Sequence, residues 1–134
     1  MRCEDDSRVW YRGGNLQGNR MGKQVMIEKP WGNYRILTEG SPVCVKILTI
    51  DPQQRLSLQT HEHRAEAWFA LTDGLEAEVE GIKKPMPAYQ RIYVGIGEAH
   101  RISNPTDQPI QVIELMFGVY DENDIFRMED DYAR

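Results

Sequence analysis

From Val43 onward the chain alternates between short apolar runs and turn residues. The runs have the length of β-strands, are rich in β-branched and aromatic residues, and recur about every 8–12 residues. They are VCVKILTI (43–50), RLSLQTHEH (55–63), AWFALT (67–72), LEAEVEG (75–81), RIYV (91–94) and PIQVIELMFGVY (109–120). This spacing predicts an all-β sandwich or barrel.

The connections and the two ends of the chain give less regular signals. Asp73-Gly74 is a strong turn dipeptide, and it predicts a hairpin between 67–72 and 75–80. The closing segment 121–134 predicts a short acidic C-terminal helix or tail. Residues 1–27 are polar and show no clear period, so they form an N-terminal arm that is flexible, an added edge strand or a subunit contact. Residues 28–134 then form one domain.

Composition narrows the class of protein. A length of 134 residues fits one domain with a buried core. A net charge of −5 without a basic run argues against a nucleic-acid partner. No apolar stretch is long enough to cross a bilayer, and two cysteines are too few for a disulfide scaffold. We therefore expect a cytoplasmic protein that binds neither nucleic acid nor membrane.

All three histidines of the chain fall in two short motifs that a single metal ion could join. His61 and His63 are two residues apart, which in a strand places both side chains on one face. Glu66 follows closely, and His100 comes about forty residues later. Imidazole and carboxylate are ligands that divalent transition metals prefer, so the pattern predicts one zinc, manganese, iron, cobalt or nickel ion. The alternatives are buried structural histidines, a solvent-facing His63, and a Glu66 paired with Arg64.

The same motifs resemble those of the cupins, whose fold is a double-stranded β-helix, or jelly-roll barrel. The first cupin motif is matched by His61, His63, Glu66 and Gly74, and the second by Gly97, His100 and Asn104, with Gly95 where proline is usual. Longer blocks at 28–37, 45–68, 100–105 and 113–134 resemble the cupin domain of type II phosphomannose isomerases. In that family a mannose-1-phosphate guanylyltransferase domain usually precedes the cupin. This sequence lacks that domain, so we do not expect guanylyltransferase activity.

The resemblance implies a metal-dependent aldose–ketose isomerase that converts mannose 6-phosphate to fructose 6-phosphate. Arg64 and Lys46 are then the catalytic candidates: Arg64 could stabilise the enediolate or hold phosphate, and Lys46 could move a proton or hold phosphate. The alternatives are a surface salt bridge for Arg64 and an exposed strand position for Lys46. Gln59, on the predicted strand face of the histidines, is a substrate-binding candidate or a fourth metal ligand. Arg101 is a phosphate-anchor candidate, although it points to the strand face opposite His100. Cupins of this size often pair through edge strands, so we expect a homodimer.

One departure from the family keeps two other functions open. Ala67 stands where the family normally has a histidine directly after the glutamate. If that histidine is needed for chemistry, the protein is a non-catalytic metal or sugar-phosphate binding cupin. A third possibility is a cupin-type Fe(II) oxygenase, because histidines and a carboxylate also hold iron with open positions.

Overall fold

The computed structural model describes residues 9–11, 25–38, 43–119, 121 and 123–133, and this part of the chain is all-β, as predicted. Its twelve strands are β1 (Val9–Tyr11), β2 (Val25–Lys29), β3 (Gly32–Thr38), β4 (Val43–Ile50), β5 (Leu58–Thr60), β6 (Arg64–Ala70), β7 (Leu75–Val79), β8 (Ile82–Met86), β9 (Arg91–Val94), β10 (His100–Ser103), β11 (Ile110–Gly118) and β12 (Phe126–Glu129). They form a seven-stranded sheet in the order β1-β2-β3-β4-β11-β6-β9 and a five-stranded sheet in the order β12-β5-β10-β7-β8.

The two sheets enclose one interior, and alternation along the strands decides which side chains enter it. In β4 every second residue is buried, and β11 shows the same pattern over most of its length. Apolar side chains from both sheets share one core cluster, which includes Leu48 and Val112 from the larger sheet and Ala77 and Ile102 from the smaller. Burial of such side chains is the main favourable term in folding.

The same alternation carries polar side chains into the interior. Lys46 is opposite Glu114 in the β4–β11 ladder, and Glu114 is opposite Trp68 in the β11–β6 ladder. Two residues along β6, Glu66 is opposite Met116. Because inward positions are two residues apart, these residues form neighbouring rows on the inner face of the larger sheet. The interior is therefore apolar in one part and strongly polar in another.

The predicted hairpin at Asp73-Gly74 is wrong. β6 lies in the seven-stranded sheet, between β11 and β9, whereas β7 lies in the five-stranded sheet, between β10 and β8. The turn is present, with Gly74 at φ +98°, but it carries the chain from one sheet to the other. A turn signal specifies a change of direction and leaves the pairing partner to tertiary packing.

The predicted C-terminal helix is also wrong within the described residues. Phe126–Glu129 is a strand that pairs with β5, with Phe126 opposite Thr60 and Arg127 opposite Gln59. The edge of β5 offers hydrogen-bond partners to an extended chain, and this outweighs the weak helix signal of an acidic segment with no apolar stripe.

The predicted boundary at residue 27/28 falls inside β2, so Val25–Lys29 is part of the sheet. Val9–Tyr11 pairs with β2 and is an added edge strand, one of the three alternatives for the arm. The other residues of the arm lie outside the described part of the chain. Across the described ranges, the structure has no helix with the length and apolar character that a membrane span requires.

Candidate functional site

The polar part of the interior brings together His61, Glu66 and His100. All three are buried, and one possible ligand atom from each lies within 4.8 Å of the others. His61 Nε2 is 3.0 Å from Glu66 Oε1, and His100 Nε2 is 3.5 Å from Glu66 Oε2. The sequence motifs 61–66 and 100 therefore do converge, from strands of both sheets and the segment that follows β5.

Backbone carbonyls fix the orientation of both imidazoles. His61 Nδ1 lies 2.6 Å from the carbonyl oxygen of Asp124, and His100 Nδ1 lies 2.8 Å from that of Glu98. A carbonyl oxygen only accepts, so each Nδ1 must carry the proton and donate it. In a neutral ring this leaves the Nε2 lone pair directed at Glu66. Metal-binding histidines are held in the same way, by an acceptor behind the ring.

The inner atoms of the cluster are close enough to share a cation. His61 Nε2 and Glu66 Oε1 are 3.0 Å apart with the Arg64 guanidinium beside both, and a proton or a metal ion between them would make this contact favourable. Among the described residues, no hydrogen bond accounts for buried Glu66 Oε1 or His100 Nε2. Buried polar atoms are rarely left without a hydrogen-bond partner. The donor set fits a divalent transition metal.

The local charges favour the ligating forms of these groups. Burial alone raises the pKa of Glu66, but the hydrogen bond with His61 and the charges of His100, His61 and Arg64 outweigh it and hold the pKa well below its usual range. Burial is the main cause that lowers the pKa of His100, and it outweighs the opposing effect of Glu66. A carboxylate and a neutral imidazole are the states that bind metal.

Gln59 lies beside this cluster. It is opposite His100 in the β5–β10 pair, and its side-chain amide nitrogen is 3.4 Å from His61 Nε2. Its amide oxygen accepts a hydrogen bond of 2.8 Å from the Ser57 hydroxyl. The oxygen and nitrogen of an amide are assigned from such contacts, and rotation of the amide by 180° directs the oxygen at the cluster. Both predicted roles, fourth ligand and substrate contact, are compatible with this position.

His63 does not join the cluster, contrary to the prediction that it shares a face with His61. β5 ends at Thr60 and residues 62 and 63 form a bend, so the two-residue rule for strands does not apply there. The His63 side chain is 66% exposed and lies 3.9 Å from Glu62. The Asp124 carboxylate accepts hydrogen bonds from the backbone amides of Glu62 and His63, and this holds the bend.

Arg64 and Lys46 both face the interior. Arg64 Nη2 is 3.2 Å from His61 Nε2, and its Nε is 3.4 Å from Glu66 Oε1. Lys46 is buried with its ammonium group 4.3 Å from the centre of the Tyr34 ring. Both side chains are buried, so neither residue lies on the protein surface.

Arg101, in contrast, borders the inner space beside His100 but directs its guanidinium away from the site. It is buried, but its Nη2 donates to the carboxylate of Glu129 on β12 at 3.0 Å. Neighbours along a strand point to opposite faces, so the Arg101 side chain leaves the side of the sheet on which His100 lies. The phosphate-anchor prediction is therefore corrected, and Arg101 instead fastens β12 to the five-stranded sheet.

Sequence reasoning missed Glu114. Burial raises its pKa to about 8, and the neighbouring charge of Glu66 and a hydrogen bond with it add to the rise, against the opposing charges of Lys46 and Arg64. The signal was present in the sequence, because β11 alternates and Glu114 shares a face with the apolar Val112. A charged residue on the buried face of a strand is a candidate for function.

Trp68 positions the carboxylate of the cluster, and this gives a first prediction. Its indole Nε1 donates to Glu66 Oε2 at 3.1 Å inside the core. We expect Trp68→Phe to weaken metal affinity by about 10–100-fold, the usual effect of removing a hydrogen bond to a ligand. The free energy of unfolding should fall by about 1–3 kcal/mol, because a buried acceptor loses its donor. Competition with a chromophoric chelator measures the affinity, and Phe69→Leu, on the outer face of the same strand, is the control. Unchanged affinity in Trp68→Phe would contradict this role.

Comparison with known proteins agrees with the architecture and the motifs. Residues 17–130 match the family described as mannose-6-phosphate isomerase C-terminal. The alginate biosynthesis protein AlgA of Pseudomonas aeruginosa is 37% identical over 109 residues, and the mannose-1-phosphate guanylyltransferase of Escherichia coli is 34% identical over 109 residues. In both cases the match covers 81% of this chain and 23% of the relative. The chain thus spans about a quarter of the length of these curated relatives.

Solved structures establish the fold. The capsular polysaccharide assembling protein CapF of Staphylococcus aureus superposes with a TM-score of 0.71 at 14% identity, covering 80% of this chain and 34% of CapF. An RmlC-like cupin of Shewanella frigidimarina gives a TM-score of 0.67 at 13% identity, covering 81% of this chain and 96% of the cupin. The predicted cupin fold is confirmed. With the match over residues 17–130, the chain belongs to the mannose-6-phosphate isomerase C-terminal family.

Proposed function

We propose that the protein is a metal-dependent aldose–ketose isomerase of a hexose phosphate, and that it converts mannose 6-phosphate to fructose 6-phosphate. The observation that carries the proposal is the buried His61–Glu66–His100 cluster, whose ligating atoms face one another beside the cationic side chains of Arg64 and Lys46. Family membership supports the choice of a phosphorylated mannose as substrate.

The reaction moves one proton between C2 and C1 of the sugar and passes through an enediol or enediolate. His61, Glu66 and His100, with Gln59 as a possible fourth ligand, would hold the metal, which when bound supplies Lewis-acid polarisation of the sugar oxygens. The residues of the chain must then do the rest: bind the sugar, exclude water, and stabilise the negative charge that develops.

Arg64 is positioned to stabilise the negative charge that develops on the sugar. Its guanidinium lies against His61 and Glu66 inside the protein, where a fixed positive charge stabilises an oxyanion more strongly than in water. Lys46 and Glu114 are opposite each other on neighbouring strands and face the same space. We assign proton movement to this side of the site, with Lys46 as the predicted catalytic residue.

The position of Ala67 gives no support to the alternative of a non-catalytic binding protein. Glu66 and Trp68 are buried, and Ala67 between them faces the outer side of the sheet, where it is opposite Tyr93 and Leu115. The family histidine at this position would lie on that outer face as well. Its absence leaves the interior of the barrel unchanged.

Isomerisation of mannose 6-phosphate in D₂O, followed by NMR, tests the proposal. The metal-loaded protein should form fructose 6-phosphate and exchange solvent deuterium into the carbon that receives the proton, without oxygen uptake. Tight binding of the sugar phosphate with no product would favour the binding protein instead. Oxygen consumption on addition of substrate would favour an Fe(II) oxygenase.

Ala67→His provides a second prediction, because it restores the residue that is usual in the family. We expect metal affinity, kcat and KM to stay within about twofold of the unchanged protein, since the new side chain lies on the outer face. Steady-state kinetics with mannose 6-phosphate and a metal titration measure this. A gain of tenfold or more in kcat would show that the outer face takes part in the reaction.

A further inference from the structure

We propose that the phosphate group of the substrate is bound by Lys29 and Arg127 at the mouth of the barrel. The carbonyl end of the sugar then points inward to the His61–Glu66–His100 cluster. This assignment rests on the proposed function and adds to it the direction in which the substrate enters. It also gives two residues a role that neither the metal motifs nor the catalytic candidates include.

The mouth is a pocket next to the His61–Glu66–His100 cluster, and side chains from both sheets line it. Four of its lining side chains are cationic and one is a carboxyl group: Lys29, Lys46, Arg64 and Arg127, with Glu114. Its other lining residues are Trp31, Tyr34, Leu48, Leu56, Ser57 and Gln59. A concentration of positive charge in a chain whose net charge is −5 is the kind of local field that attracts an anion.

The order of residues along the interior gives the direction. A smaller inner space of about 10 Å³ is lined by Glu66 and His100, and it shares Ser57, Gln59 and Glu114 with the pocket of about 70 Å³ at the mouth. The inner space has room for about one ion or water. A substrate therefore reaches the cluster only with the few atoms at one of its ends.

Lys29 and Arg127 lie at the outer end of the route from the mouth pocket to the inner space. Arg64 and Lys46 are buried, whereas Lys29 is half-buried and the Arg127 side chain is 32% exposed. Lys29 is the last residue of β2 in the larger sheet, and Arg127 lies in β12 of the smaller, so the two approach the pocket from opposite walls. Lys29 Nζ is 5.9 Å from the centre of the Tyr34 ring, and both residues line the pocket.

Size favours the phosphate as the part that stays at the mouth. Pockets that enclose a whole drug-sized ligand measure about 300–1,000 Å³. The pocket of about 70 Å³ encloses only part of a hexose phosphate, and the dianionic group is the part that is most costly to remove from water. An arginine fork and a lysine ammonium at a partly hydrated mouth bind phosphate by charge-assisted hydrogen bonds.

Ligand binding by the metal-loaded full chain tests the assignment, because it does not depend on turnover. We expect Lys29→Met and Arg127→Met each to weaken binding of mannose 6-phosphate by about 10–100-fold, as for the loss of a hydrogen bond to a charged group. Binding of mannose, which lacks the phosphate, should not change, and inorganic phosphate should compete with mannose 6-phosphate only in the unchanged protein. Lys83→Met, on the exposed strand β8, is the matched control.

Kinetics separate this role from catalysis. In both variants KM should rise while kcat stays within about threefold, because the interaction is made equally in ground and transition states. Wild-type affinity for mannose 6-phosphate in both variants would overturn the assignment, as would equal affinity of the unchanged protein for mannose and mannose 6-phosphate. If the unchanged protein binds mannose 6-phosphate, the variants lose that binding and no turnover occurs, the phosphate site stands and the isomerase proposal fails.

Discussion

Replacing His100 by alanine is expected to remove the metal site, whereas replacing His63 by alanine should leave it intact. His100 directs its Nε2 at Glu66 from within the barrel, and a carbonyl holds the other side of its ring. His63 is exposed and lies outside the cluster. Loss of one of only a few protein ligands should weaken metal affinity by more than about 100-fold, beyond the 10–100-fold typical of residues that support a ligand.

Metal content after dialysis and affinity by chelator competition measure this difference, and His61→Ala should behave as His100→Ala does. The fold should persist in all three variants, since the apolar cluster that forms most of the core does not include the two buried histidines. Circular dichroism provides that control. Wild-type metal affinity in both His61→Ala and His100→Ala would contradict the site, and loss of metal in His63→Ala would restore the ligand set that the strand spacing predicts.

Lys46→Met is expected to lower kcat by about 10²–10³-fold with a smaller effect on KM. Lys46 is buried, is opposite Glu114, and has its ammonium group against the Tyr34 ring beside the pocket. Removing one donor or proton carrier from a water-poor site typically has an effect of this size. Methionine fills similar space, so the barrel should keep its stability.

Steady-state kinetics with mannose 6-phosphate compare Lys46→Met with Lys84→Met, an exposed lysine of β8. The contrast with Lys29→Met is informative, because we expect Lys46→Met to lower mainly kcat and Lys29→Met to raise mainly KM. A Lys46→Met variant with unchanged kcat and a raised KM would move Lys46 from catalysis to phosphate binding.

Local patterns in the sequence were sufficient to predict the bounds of some single strands. β4 and β9 have the bounds that their apolar runs predict, and the alternation in β4 correctly turns Lys46 inward. Strand pairing was beyond such reasoning. The Asp73-Gly74 turn connects two sheets, and β12 exists because β5 offers it an edge. Both outcomes depend on contacts between residues distant in sequence.

The candidate site likewise has a part that the sequence predicts and a part that depends on tertiary structure. Residue chemistry was enough to predict that His61, Glu66 and His100 lie together, because these residue types in two short motifs are typical of a shared metal site. The two failures, His63 and Arg101, depend on where a strand stops and on what covers its other face. Glu114 could have been found from the alternation of β11, and its position opposite Lys46 shows which cationic side chain it faces.

The most direct test of the central claim measures bound metal and turnover in the same samples. Metal-free protein is titrated with each candidate ion, and formation of fructose 6-phosphate from mannose 6-phosphate is followed at every point. The account predicts a rate that rises with bound metal and reaches its plateau at about one ion per chain, as one buried cluster requires. Full turnover without metal, or one bound ion per chain with no product from any of the candidate metals, would contradict it.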